Sequence, residues 1–192
     1  MRNWIHIDPW VYLTAALLVL VLPLDWLLAA LCAAVFHEIS HIAAIRLLGG
    51  SVKGIRIGIG GAAIETEIPG RGKELLCALA GPAGSMLLLP LCHLFPKIAL
   101  CAFAHGAFNL LPIFPMDGGR ALRCCAEMIA PSKAETILNF AEISTYLTII
   151  LLAAGVTALF SVGILPLFGA ILLILKAISR KRPCKRRRIG VQ

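Results

Sequence analysis

Two imidazoles and a carboxylate stand within five residues in Phe36-His37-Glu38-Ile39-Ser40-His41. On a helix, residues four apart project from one face, so His37 and His41 can hold a single metal ion between them. Glu38 follows directly and is placed to take a proton from water polarised by that ion. This is the chemistry of metal-assisted hydrolysis, and zinc, one ion per chain, suits two imidazole ligands. The flanks Leu31–Phe36 and Ile42–Leu48 are strongly apolar. An ionisable residue at the centre of a membrane helix costs ~2.5–3.5 kcal/mol. Three such groups in five residues therefore call for mutual satisfaction, which metal binding supplies.

A catalytic zinc takes a third protein ligand and keeps one position open. His93, His105, Asn109 and Asp117 are the polar candidates at membrane depth. The run Phe108-Asn109-Leu110-Leu111-Pro112-Ile113-Phe114-Pro115-Met116-Asp117-Gly118-Gly119-Arg120 is distinctive. Pro112 and Pro115 break the helix, and broken backbone at membrane depth must face protein or a wet cavity. Asp117 then offers an anionic ligand, and Gly118-Gly119 lets the chain turn away after it. The same Asp117 would serve equally as the N-cap of a following helix near Arg120. Spacing alone does not choose between these roles. His105 lies one turn before Asn109 on the same face; lining the site is one reading, and a histidine satisfied by a neighbouring carbonyl is the preferred one.

The elements that position these residues read as an all-α membrane protein. Of 192 residues, 59% are hydrophobic, and the mean hydropathy is +0.90. Six apolar runs are candidate spans: Trp10–Leu24, Trp26–Leu48, Leu75–Phe95, Ile98–Phe114, Phe140–Phe160 and Ile164–Ile178. With six spans, Arg46, Lys53, Arg56, Arg71, Lys73, Arg120, Arg123 and the C-terminal basic cluster share one side, and Lys97 faces the other. Positive residues favour the cytoplasm, so both termini are expected there. Arg120 and Arg123 are read as anchors at that interface. Between the second and third runs, Val52–Ile68 alternates at Ile55, Ile57 and Ile59 around Gly60-Gly61, the pattern of a short membrane-associated β-hairpin. Its turn, Ile59, Gly60, Gly61 and Ala62, is the expected substrate-binding edge, where an unwound segment could add as a strand. Residues 1–179 form one polytopic domain, and 180–192 a basic cytoplasmic tail without fixed structure.

The formal charge of +8 sits largely in that tail, with no interleaved aromatics, so nucleic acid is not an expected partner. A lipid surface is. The seven cysteines form no CxxC pair, which excludes a zinc knuckle or a disulfide framework. One polar site and no internal repeat speak against a transporter.

Together, HEISH and NLLPIFPMDGGR resemble the site-2 protease family of intramembrane zinc metalloproteases. The resemblance implies His37, His41 and Asp117 as zinc ligands, Glu38 as the catalytic acid-base, and Asn109 as the residue that holds the scissile peptide or its oxyanion. Ala80-Gly81-Pro82 resembles the family's A-G-P motif, with Ser85 where the family usually has Asn; this helix is read as one of close packing by small residues. The layout is similar to the stage IV sporulation protein FB branch, without the CBS domain common there. By that likeness the substrate is a membrane-embedded precursor, with a sporulation pro-sigma factor as the example, and a membrane regulatory protein is a conceivable partner. Oligomeric state is not legible.

Overall fold

The computed structural model describes residues 4–58, 61–160 and 165–179. The described chain is mainly helical, with a small sheet. A strand β1 (Ile5–Ile7) leads into helix α1 (Trp10–Val21). Helix α2 (Leu24–Leu47) ends at Gly49, whose φ of 78° suits the left-handed position after a helix end. Strands β2 (Ser51–Gly58) and β3 (Gly61–Glu67) form the hairpin expected from the sequence. Helix α3 (Arg71–Leu87) runs on into a 3₁₀ turn, Leu89–His93. Helices α4 (Pro96–Asn109), α5 (Asp117–Ile129), α6 (Ala134–Phe160) and α7 (Leu165–Ser179) complete it.

Among the described residues, three helical segments are long and apolar enough to cross a membrane: Leu24–Leu47, Arg71–His93 and Ala134–Ala158. Helices α1, α4 and α7 have 12, 14 and 15 residues. At 1.5 Å per residue, 14 residues reach ~21 Å against a hydrocarbon thickness of ~30 Å. The fourth apolar run of the sequence, Ile98–Phe114, thus divides: its helix stops at Asn109, and irregular chain leads to Asp117. Pro112 and Pro115 enforce that stop. The basic tail, 180–192, lies outside the described residues.

Two elements are not among the apolar runs and the hairpin read from the sequence. The first is α5, which the sequence offered only as the helix that Asp117 would cap. Its buried positions are Asp117, Gly118, Gly119, Ala121, Cys124 and Ala126. Such a face is made of small residues and lacks the long apolar run that signals a span. The second is β1, which pairs parallel with β2, Ile5 opposite Ile55 and Ile7 opposite Ile57. Three residues are too few for a periodicity to show. The sheet order is β1-β2-β3, so β2 is central and the described sheet edges belong to β1 and β3.

Helix α2 buries Ala29, Ala33, His37, His41 and Ile45, one residue in every four, while Leu28, Leu31, Val35 and Ile39 are exposed. The exposed apolar stripe suits lipid, and the buried stripe packs on α3 and α4. Small residues permit this approach. A Cβ on Gly84 would run into Ser40, and one on Gly106 would lie 2.9 Å from Ser85 Cβ. At the end of α2 a second cluster joins helix to sheet: Ile45, Val52 and Cys77 are buried against Ala44, Leu48, Ile55, Ile64 and Ile68. Lys73 Nζ donates to the Leu48 carbonyl (2.9 Å), which satisfies one of the free carbonyls at the C-terminus of α2. Toward the opposite end, Lys97 of α4 pairs with Asp25 of α2 and lies 5.4 Å from the ring centre of Trp26.

Candidate metal centre

His37 and His41 point from the buried stripe of α2 toward the start of α5. Asp117 Oδ2 lies 3.0 Å from His37 Nε2 and 3.0 Å from His41 Nε2, and the two nitrogens are 3.3 Å apart. His37, His41 and Asp117 are 1%, 6% and 7% exposed. His41 Nδ1–H donates to the Cys77 carbonyl at 2.7 Å. A carbonyl can only accept, so the neutral ring carries its proton on Nδ1 and turns the Nε2 lone pair toward Asp117. His37 Nδ1 is 2.9 Å from Ser85 Oγ, which can hold the second ring in the same way. Two lone pairs and a carboxylate oxygen then converge, an arrangement that repels itself unless a cation lies among them. Ligands at 2.0–2.1 Å around tetrahedral zinc stand roughly 3.3 Å from one another. The observed separations match that triangle, so the residues present fit zinc; among the described residues this is the one cluster of metal-ligand character.

The surroundings explain the placement. Gly81 of α3 lies against both rings: a Cβ there would sit 2.6 Å from His37 Nε2 and closer still to His41 Nε2. The sequence reading had Gly118 and Gly119 turn the chain away, and they do not. They lie in the first turn of α5, where Cβ atoms would strike the Leu110–Phe114 segment, at 2.7 Å from the Leu111 carbonyl oxygen and from Phe114 N. That segment includes a cis Phe114–Pro115 peptide bond. The N-cap position belongs to Met116, with no side-chain cap bond. Asp117 is therefore free of the capping role that spacing alone left open, and its carboxylate faces the imidazoles.

Glu38 is half-buried and adjoins His37 on α2. Asn109, at the end of α4, donates from Nδ2 to the His105 carbonyl at 3.0 Å. The His105 ring packs edge-on against His37, with centroids 4.6 Å apart. It thus lines the site, one of the two readings that its position one turn before Asn109 allowed. Ser85 is fully buried and reaches a ligand ring, a polar role that the small-residue reading of α3 did not assign. The Cys77 carbonyl is a further partner that no side-chain pattern could reveal. Arg120 NH1 lies 3.6 Å from Asp117 Oδ1, and Arg123 stacks at 5.6 Å over Phe114. Of the expected substrate edge, Ile59 and Gly60 lie outside the described residues. Gly61 and Ala62 begin β3, opposite Gly58 and Ile57.

A family model described as Peptidase M50B-like matches residues 10–112, more than half of the chain. The chain belongs to the peptidase M50B-like family. A second model, Peptidase family M50, matches residues 76–155 of this M50B-like chain. A zinc metalloprotease of Methanocaldococcus jannaschii is 36% identical over 104 residues, covering 46% of this chain and 30% of the relative. The chain thus spans less than a third of that relative's length. The fold is similar to a site-2 protease from Methanocaldococcus jannaschii, with a TM-score of 0.62 at 18% identity, covering 100% of this chain and 95% of that one. With its long apolar helices, this M50B-like chain is a multi-pass membrane protein.

Proposed function

We propose that the protein is a zinc-dependent endopeptidase that hydrolyses a peptide bond in or near a transmembrane segment of a membrane-bound precursor. The observation that carries this reading is the convergence of His37 Nε2 and His41 Nε2 of the apolar helix α2 with Asp117 Oδ2 of α5, next to Glu38. Zinc, when bound, supplies a Lewis acid that polarises the scissile carbonyl and makes water acidic. Glu38 takes the proton of the attacking water and passes it to the leaving amine. Asn109 uses one amide hydrogen on His105, which leaves its oxygen and second hydrogen to hold the substrate peptide. Burial of the site keeps the charges in a low-dielectric setting, where they act strongly.

A helical substrate must unwind before its carbonyl can be attacked, and its freed backbone groups then need partners. Strand addition at Ile59, Gly60, Gly61 and Ala62, toward the edge that β3 presents, supplies them. Cysteines placed there and along a substrate should cross-link; no cross-link at any tested pair rejects the placement. Loop charge supports both termini in the cytoplasm. The layout's likeness to the stage IV sporulation protein FB branch makes a membrane-tethered pro-sigma factor the first substrate to try.

Glu38→Gln is the deciding variant. Cleavage should fall by about 10²- to 10⁴-fold, the usual worth of a general base, while zinc content stays stoichiometric. Comparison of membrane proteomes with wild-type and Glu38→Gln protein should reveal the accumulated precursor. Undiminished cleavage by Glu38→Gln, or wild-type protein without bound zinc, would overturn the reading.

A further inference from the structure

We infer that Arg120 is a positioning residue of the metal centre, holding Asp117 so that it offers one oxygen to the ion. The inference rests on the zinc reading above and adds a residue to it. The two carboxylate oxygens of Asp117 face different partners. Oδ2 lies 3.0 Å from each imidazole Nε2. Oδ1 lies 3.6 Å from Arg120 NH1, one helical turn along α5. A carboxylate can bind a cation through either one or both oxygens. A guanidinium on Oδ1 opposes the second mode and fixes the first.

Nothing else on α5 does this. The capping position is held by Met116, so the helix end leaves the carboxylate rotamer open. The geometry of the pair is local: Arg120 rides on the same backbone as the ligand it orients, three residues on. Its side chain is 32% exposed against 10% for Asp117. The guanidinium therefore spans from the buried ligand toward the protein surface.

The formal charges accord with this role. Asp117, Glu38 and Arg120 sum formally to −1, and a divalent ion brings the site to +1. That surplus suits a step in which negative charge develops on a carbonyl oxygen. Without Arg120 the loaded site would be neutral. The sequence reading made Arg120 an interfacial anchor; the pairing with Asp117 adds a second role to it.

The test uses the full-length protein in detergent, loaded with zinc or with cobalt(II) as a spectroscopic probe. Arg120→Ala should bind zinc roughly 10- to 100-fold more weakly in competition with a chelator, the usual effect of losing a group that orients a metal ligand. Its cobalt absorption should shift toward that of a higher coordination number, because the freed carboxylate chelates. Arg123→Ala, on the same helix, should change neither readout. Should Arg120→Ala fail to fold, Arg120→Gln removes the charge with less loss of packing and is read on the same two measurements. Wild-type zinc affinity and an unchanged cobalt spectrum in the folded variant would overturn the role of Arg120. Absence of zinc from the wild-type protein would instead reject the zinc reading itself.

Discussion

Each ligand imidazole is held through its far nitrogen, and the two holders differ in kind. The Cys77 carbonyl fixes His41 through backbone, which no side-chain substitution removes. Ser85 fixes His37 through a hydroxyl. Ser85→Ala should therefore loosen His37 alone. Zinc affinity should drop by roughly 10-fold or more, with helical content unchanged, as measured by chelator competition beside circular dichroism. Unaltered affinity would make Ser85 a packing residue only. The hydroxyl's role was not legible in the sequence, where Ser85 among Gly81, Pro82 and Gly84 reads as one more small residue. Burial turns a small residue into a polar partner, and burial is not visible along one chain.

The approach of α3 to α2 is set by residues without side chains. At Gly81 the backbone of α3 takes the place where a methyl group would meet both ligand nitrogens. Gly81→Ala should cost stability by about 1–3 kcal/mol, the usual range for overpacking. It should also abolish zinc binding, because the rings cannot retreat into the closely packed α2–α3 contact. Thermal unfolding and metal content measure the two effects separately; a stable variant with full zinc content would show that α3 can shift at no expense to the site. The helix α5 works by the same means: Gly118 and Gly119 admit the Leu110–Phe114 segment and so bring Asp117 to the metal position. The sequence read those glycines as a turn. A helix after Asp117 was only one of two open readings because α5 buries small residues and carries Arg120, Arg123 and Glu127 among them.

Across the whole molecule the metal centre ties α2 to α5, elements far apart along the chain. Outside it, that link is carried by α3, which packs on both, and by the Arg71–Glu127 pair between α3 and α5. An ion that binds the folded state alone stabilises it by about 4 kcal/mol at a thousandfold excess over Kd. Removal of zinc with a chelator should therefore lower the unfolding temperature. Hydrogen exchange should rise first in α5 and in the 110–116 segment. Uniform exchange across all helices, or none, would place the stabilisation elsewhere. Re-addition of zinc should restore protection.

The local part of this design follows from the sequence by itself. Helical geometry alone puts His37 and His41 on one face, and apolar flanks alone place them at membrane depth. The alternating run from Val52 predicts the hairpin, and two prolines predict the break after Asn109. What tertiary structure decided concerns partners distant in the chain. Asp117 stands 80 residues from His37, and spacing allowed it to be a cap or a ligand. The choice required α3 to carry α5 against α2 through glycine contacts. A helix imposes its order over a few residues through its own hydrogen bonds. Across longer separations only packing brings groups together, and packing depends on the whole chain at once.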